Sequence, residues 1–317
     1  MVAKQLVSRH SVQTQTETKR RTLPFLLVAR EMLDARHPSF IHKQNMTSSC
    51  VPDKSSRRSF QIGLLVAAVL SAFAASAQAQ SALDNVMKSR LIKIAIPTDF
   101  PPYGSVGSDM QPRGLDVDMA NYIAEKLGVK VELVPVSTAN RIPYLQTKKV
   151  DLVISTLGKN PEREKVIDFT VAYSPFFISV FGPKATAVRV PADLAGKTIA
   201  VTRGSVDDQE LTKVAPAGAE VRRFEDNAGT VSAYVSNQTQ LIATSIATAA
   251  SITARNPQTG VDYKFGLKDS PNFVGIAKGE DALRQKVNDI IMQARKSGDT
   301  DKLSVKWLGK PAGELPQ

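Results

Sequence analysis

Between residues 82 and 308, short runs of apolar residues alternate with stretches in which apolar residues recur every three or four positions. The runs at 91–96 (LIKIAI), 129–136 and 150–154 read as strands. Leu115, Met119, Ile123 and Leu127 recur every four residues and predict a helix over 115–127, closed by Gly128. Shorter helices are predicted at 82–90 and 140–147. Strand, helix, strand, helix, strand in that order implies right-handed crossovers and a parallel sheet. After Gly182-Pro183 a second unit begins. It reads as a helical turn at 191–194, strands at 197–201, 219–223, 240–243 and 261–265, and helices at 206–214, 227–236 and 245–255. The run 273–277 reads as a strand returning to the first unit. Leu283, Val287, Ile290, Ile291 and Ala294 pattern a closing helix, and Leu303, Val305 and Trp307 another. The tail after residue 310 is expected to be loose. The fold class is therefore α/β in two units.

The stretch 150–170, VDLVISTLGKNPEREKVIDFT, joins a strand to a polar loop. Open α/β sheets bind ligands where strands spill into loops at their C-terminal ends. Small hydroxyls (Ser155, Thr156), a glycine exposing its N–H (Gly158) and one arginine (Arg163) suit a carboxylate. The bland alternative is a solvated loop in which Arg163 pairs with Glu162 or Glu164. Pro101-Pro102 ends the first strand, leaving Phe100 and Tyr103 in a loop. Phe100 is expected to face a ligand and Tyr103 to plug the core. Asn140 and Arg141 lie near a helix N-terminus, where free N–H groups favour anions. A plain surface arginine is the alternative for Arg141.

Composition changes this picture little. Of 317 residues, 42% are apolar and 22% charged, an ordinary globular balance. The formal net charge of +11 is concentrated at the front: residues 1–80 hold 11 Lys/Arg against 4 Asp/Glu, and residues 81–317 hold 30 against 26. Nucleic acid is therefore not an expected partner. Residues 62–77 form an Ala-rich apolar run behind Arg57-Arg58, and small residues follow it. This is the pattern of a secretory signal peptide, cleaved after Ala79 or, alternatively, Ala77. Ser56-Arg57-Arg58-Ser59-Phe60 also resembles a twin-arginine signal, so either export route fits. Region 46–79 is read as the signal and 1–45 as an over-called, mostly disordered start. Cys50 precedes the apolar run, so the exported chain has no thiol chemistry. His10, His37 and His42 also lie in the leader, leaving no support for a metal or other cofactor.

The segments LIKIAIPTDFPPY, GLDVDMANYIAEKLGVKVELVPV, NRIPYLQTKKVDLVISTLGKNPEREKVIDFT, DLAGKTIAVTRGS and DKLSVKWLG, in this order, resemble the family 3 periplasmic solute-binding proteins, the receptors of polar amino-acid ABC importers. The resemblance implies a two-lobe, type II periplasmic-binding-protein-like α/β fold with a hinge of two crossover strands. Lobe one would be 82–180, rejoined by 276–317, and lobe two 181–275. A ligand between the lobes would close them. The resemblance further implies that Arg163 pairs bidentately with a ligand carboxylate. Gly158 would add its N–H, Ser205 a contact from lobe two, Ser155 and Thr156 contacts to an α-amine, and Phe100 a ring against the side chain. The family's usual amine-binding aspartate falls at Thr244-Ser245, and its other frequent acid at Pro97. Asp99, or Glu225 and Asp226, would then substitute, or the ligand lacks a standard α-amine. Asn140-Arg141-Ile142-Pro143 is similar to the glutamate/aspartate-binding branch, which implies that Thr138 and Arg141 meet an acidic side chain and that Asn227 lies nearby. A further arginine of that branch is replaced by Pro97.

The expected function is capture of a small amino-acid-like carboxylate in the periplasm and delivery to a membrane permease, by a monomer doing no chemistry. The alternatives are a periplasmic dehydratase-type enzyme on the same fold, which needs a positioned general acid, or a ligand-sensing module.

Overall fold

The computed structural model describes residues 81–316. The expected 1–45 extension, the export signal, both cleavage sites, Cys50 and the three histidines lie outside the described residues. Among the described residues no helix is long and apolar enough to cross a membrane.

The chain forms two mixed five-stranded sheets of the same design. In the first the order is β5-β1-β6-β13-β7. It is built from β1 (Leu91–Ile96), β5 (Lys130–Pro135), β6 (Leu152–Gly158), β7 (Ile167–Ser174) and β13 (Asn272–Ala277). β5, β1 and β6 run parallel, and β13 is antiparallel to both β6 and β7. The second sheet has the order β10-β9-β11-β8-β12. Its strands are β8 (Phe177–Pro183), β9 (Thr198–Thr202), β10 (Glu220–Phe224), β11 (Leu241–Ser245) and β12 (Val261–Asp269). Again three strands, β10, β9 and β11, pair in parallel, and β8 is antiparallel to both β11 and β12. Between β1 and β5 a small antiparallel sheet joins β2 (Asp99–Phe100), β3 (Gly104–Val106) and β4 (Pro112–Arg113).

Helices cover both sheets because their apolar stripes need burial. In lobe one these are α1 (Ala82–Ser89), α2 (Leu115–Leu127), α3 (Arg141–Gln146) and α4 (Pro161–Glu164). Lobe two carries α5 (Val206–Val214), α6 (Asn227–Val235) and α7 (Ile246–Arg255). The closing helices α8 (Asp281–Ser297) and α9 (Asp299–Leu308) return to lobe one. Met119, Ile123, Val287 and Ile291 are fully buried against Ile92, Ile94 and Ile154, as the fourfold spacing predicts. Gly128 closes α2 in the left-handed region at φ 68.

The chain crosses between sheets at 175–176 and at 270–271, both beside a proline. The expected lobe boundaries at 180/181 and 275/276 fall inside β8 and β13, because each crossing strand is continuous with its new sheet. The two crossings are tied to each other. The Ser270 N–H donates to the Phe176 carbonyl at 2.8 Å, and Asn272 Nδ2 donates to Ser174 Oγ at 2.9 Å.

Two other expectations change. The strand predicted at 150–154 runs to Gly158, so the polar Ser155–Gly158 segment is sheet rather than loop. It pairs with β13, Leu157 opposite Phe273 and Gly158 opposite Asn272. The C-terminal tail is held rather than loose: the Ala312 N–H donates to Asp301 Oδ1 at 2.9 Å, and Arg295 donates to the carbonyls of Leu315 and Pro316.

Asp116, at the start of α2, pins that helix to the sheet. It is fully buried, and it accepts the Thr156 N–H at 2.8 Å and the Tyr173 hydroxyl at 2.7 Å. Burial pushes its carboxyl up to about 7, and these two hydrogen bonds and the charge of Arg141 offset only part of that rise. The fold therefore retains a proton that the unfolded chain, with an ordinary value of 3.8, has released. This group's contribution to stability is fully present below its unfolded value and is lost as pH rises through about 7. Asp116→Asn, which keeps a neutral acceptor there, is expected to remove that slope. In urea unfolding at about pH 5 and about pH 8, wild type should lose stability relative to the variant at the higher pH. Parallel pH dependences would contradict the assignment.

Candidate ligand-binding site

The C-terminal ends of the parallel strands of both sheets face each other across the crossings, and a small cavity lies between them. Each sheet contributes at the point where its chain departs to opposite sides, where open α/β sheets form a crevice. From lobe one come Phe100 beyond β1, Thr138 beyond β5, Arg141 at the start of α3, and Thr156 and Gly158 at the end of β6. Lobe two supplies Ser205, Val206 and Asp207 beyond β9, and Asn227 beyond β10, while Phe176 and Ser270 come from the crossings. The volume is about 10 Å³, room for roughly one water. A wider cleft of about 300 Å³ adjoins it, shares Thr138 and Arg141, and is lined further by Arg163, Glu162, Gly204 and Gln209.

The lobe-one wall depends on an irregularity in β6. Val153 pairs with Gly275 and Leu157 with Phe273, so three β6 residues face one β13 residue. Thr156 sits in this bulge at φ 43, an uncommon conformation for a β-branched side chain. Asp116 holds it there through the Thr156 N–H. The twist turns the hydroxyls of Ser155 and Thr156 toward Arg141, which donates Nε to Ser155 Oγ at 3.1 Å and Nη2 to Thr156 Oγ1 at 3.3 Å. Arg141 is only 5% exposed, which makes it a wall of the cavity and not a surface arginine. Burial lowers its pKa, and Asp116 and Asp99 counter that.

Arg163 is equally buried but stands at the seam between lobes. Its Nη1 donates to the Gly158 carbonyl at 2.7 Å and its Nη2 to the Gly204 carbonyl at 3.1 Å, one in each lobe. Neither Glu162 nor Glu164 pairs with it; Glu164 pairs with Lys159. Burial, followed by the repulsion of Arg141, depresses its guanidinium to about 10. Gly158 has no room for a side chain: a Cβ would lie 2.6 Å from Ser270 Oγ and 2.8 Å from Val206 Cγ2.

Of the remaining expected site residues, Phe100 stacks on Tyr103 with centroids 5.6 Å apart, and Phe176 completes the aromatic cluster. Tyr103 is almost fully buried, as a core plug. Asp99 does not point at the cavity. It accepts the N–H groups of Asn227 and Ala228 and the Asn227 side-chain amide, so a lobe-one carboxylate caps lobe-two helix α6. Ser155 lies behind Arg141. Ser205 caps α5 by accepting the Asp208 N–H at 3.0 Å, and Ser245 caps α7 in the same way through Thr248. Glu225 and Asp226 are exposed; Glu225 pairs with Arg203 and Asp226 caps α6.

Phe176, Val206, Asp207 and Ser270 line the cavity without having been singled out in the sequence. Phe176 and Ser270 each adjoin a crossing proline, and Asp207 follows the Gly204-Ser205 turn closely enough that its position at a helix N-terminus was a usable signal. Asp207 is 7% exposed, its Oδ1 has no hydrogen-bond partner, and burial pushes its carboxyl up to about 6 despite its own backbone N–H, the Ser205 hydroxyl and both arginines. The Thr138 hydroxyl is likewise buried without a partner.

Comparison with known proteins agrees with this architecture. The L-cystine-binding protein TcyJ of Escherichia coli (strain K12) is 25% identical over 251 residues, 78% of this chain and 94% of that protein. An ancestral arginine-binding protein bound to arginine superposes with a TM-score of 0.66 at 31% identity, covering 69% of this chain and 98% of the other. The ancestral amino acid-binding protein AncCDT-1, a precursor of cyclohexadienyl dehydratase, superposes with a TM-score of 0.66 at 32% identity, covering 72% and 99%. The two sheets with paired crossings are the type II periplasmic-binding fold of these neighbours. The profile of the bacterial extracellular solute-binding proteins, family 3, matches residues 92–310, and the chain belongs to that family.

Proposed function

We propose that this protein is the exported receptor of an ABC importer, binding an α-amino acid or a related small carboxylate between its lobes and passing it to a membrane permease. The observation that carries this reading is the pair of buried guanidinium groups, Arg141 and Arg163, beside a cavity walled by both lobes. Each guanidinium has five N–H donors and makes two hydrogen bonds to protein groups, leaving donors for a ligand. An amino acid does not fit in the inner cavity of about 10 Å³, so entry there, beyond the adjoining cleft of about 300 Å³, requires the lobes to part about the crossings. On re-closure Arg163 would exchange its two carbonyl partners for a carboxylate, a stronger, charge-assisted acceptor. Arg141, with Thr138 beside it, would meet an acidic side chain. Micromolar binding needs about −8 kcal/mol, within reach of one bidentate pair, a few hydrogen bonds and the Phe100 ring.

The dehydratase-type alternative has one observation in its favour, the raised carboxyl of Asp207 in the cavity. A proton-transfer enzyme also needs that acid aimed at a leaving group, and the two arginines are accounted for more simply by binding. We therefore assign no reaction to the site.

A thermal-shift screen of amino acids and small dicarboxylates on the exported form tests the reading, because a ligand specific for the native state raises its melting temperature. Arg163→Ala is expected to keep the fold and weaken binding of the best ligand by about tenfold to a hundredfold, as for a charged hydrogen bond lost. Unchanged affinity by calorimetry would remove Arg163 from the site. Arg141→Ala is expected to weaken acidic ligands selectively, and equal weakening of neutral ones would deny it a side-chain role.

A further inference from the structure

We infer that Asp207 receives the positively charged nitrogen of the ligand, so that the site takes a zwitterion and not a plain carboxylate. This deepens the binding reading above and rests on it. The family resemblance left that end of the ligand open, because Ser245 stands where an acid was expected. Ser245 is fully buried, its hydroxyl is engaged with Thr248, and it carries no charge.

Of the other nearby acids, Glu162 lines the adjoining cleft but is exposed, and the rest are engaged. Asp99 accepts three N–H groups at the start of α6. Asp116 accepts two hydrogen bonds beneath Thr156. Asp208 accepts the Gly204 N–H at 3.0 Å and pairs with Arg223 at 2.8 Å. Asp207 differs from all of them. It lines the cavity, it is nine-tenths buried, and its Oδ1 has no partner. A buried carboxylate oxygen without a donor is costly, and Asp207 keeps one in the wall of a cavity between the lobes, where a ligand can supply the donor. Neither arginine supplies it: among the described residues no basic group stands within 4.0 Å of the Asp207 carboxylate. The first turn of α5 favours the charged form, and a carboxyl at about 6 is ionised near neutral pH.

A second buried acceptor without a partner, the Thr138 hydroxyl, belongs to the lobe-one wall of the same cavity. An ammonium group donates three hydrogen bonds, and Asp207 Oδ1 and Thr138 Oγ1 can take two of them from opposite walls. The charged groups also match in kind: two guanidiniums and one buried carboxylate with an unpartnered oxygen line the site. A ligand with two carboxylates and one ammonium brings one negative charge and meets each group with its opposite. The class indicated is an amino dicarboxylic acid.

Calorimetry on the exported form, with L-aspartate and L-glutamate set against their nitrogen-free counterparts succinate and glutarate, tests the assignment. Wild type is expected to bind one of the amino acids at least about tenfold more tightly than its counterpart. In Asp207→Asn that preference is expected to vanish through loss of the amino acid alone, with the affinity for the nitrogen-free acid kept or raised. Retained preference in the variant overturns the inference. So does equal loss of both ligands, which would make Asp207 a countercharge for the arginines only. Should the variant fail to fold, wild type decides alone, because equal affinity for both members of a pair overturns the assignment. Binding of a dicarboxylate that is indifferent to nitrogen and lost in Arg163→Ala would leave the receptor reading standing and this inference refuted. No binding of any of the four acids refutes the amino dicarboxylate assignment, and failure of the broader thermal-shift screen as well refutes the receptor reading.

Discussion

A buried guanidinium has to be held by acceptors that do not neutralise it, or it has nothing left for a ligand. That constraint organises lobe one. Arg141 is held by the hydroxyls of Ser155 and Thr156, which orient it and leave its charge free. Those hydroxyls face it because β6 bulges, and the bulge requires Thr156 to hold a positive φ. Such backbone strain costs of order 1–3 kcal/mol, and Asp116 offsets it by accepting the Thr156 N–H. Asp116 is itself buried and needs the Tyr173 hydroxyl as its second donor. The chain from Tyr173 through Asp116 and Thr156 to Arg141 thus links the start of α2, two strands of the sheet and α3. Each member is placed by the one before it, and the last faces the cavity.

Much of the element order was legible because it rests on local signals. The fourfold apolar spacing of α2 and the apolar run of β1 describe surfaces that can be buried in only one way. The same signals misread Ser155–Gly158, since a run of small polar residues ordinarily ends a strand. Here it stays in the sheet because a buried arginine satisfies its hydroxyls and β13 pairs with its backbone. That compensation comes from elsewhere in the chain, so no window around 155–158 contains it. The crossings were displaced for a similar reason. Pro175 and Pro271 mark them locally, but which sheet each strand joins is decided by partners about a hundred residues away.

The site divides along the same line. Local residue types pointed to Phe100, Arg141, Thr156 and Gly158, and the family resemblance added Thr138, Ser205 and Asn227; all line the cavity. Partner choice was not legible. Asp99 reads as a free acid beside the ligand ring, and only the folded chain puts it on the N-terminus of α6 in the opposite lobe. Asp207 reads as one of two adjacent acids in a helix's first turn. Its neighbour Asp208 finds Arg223 and Asp207 finds no basic partner, a difference fixed by the one-residue rotation of about 100° between them on the helix.

The contacts between lobes also bear on how closure can be controlled. They include Asp99 with the start of α6, Arg163 with the Gly204 carbonyl, and Asn160 Nδ2 with Gln209 Oε1 at 2.7 Å. These groups are polar and lie at a seam, so water can take over from each partner as the lobes part. The net cost of exchanging such a hydrogen bond is only about 0.5–1.5 kcal/mol, rising to about 3 kcal/mol where a charged group is involved. Apolar contacts cross the seam as well, where Ile178 and Val206 join Phe100, Tyr103 and Phe176 in one buried cluster. Contacts through a bound molecule can add to these, provided that molecule offers an anion to the arginines and hydrogen bonds to both walls. Gly158 enforces the fit mechanically, since Val206 and Ser270 approach where any side chain would stand. The missing Cβ is therefore a condition for this close approach of the lobes.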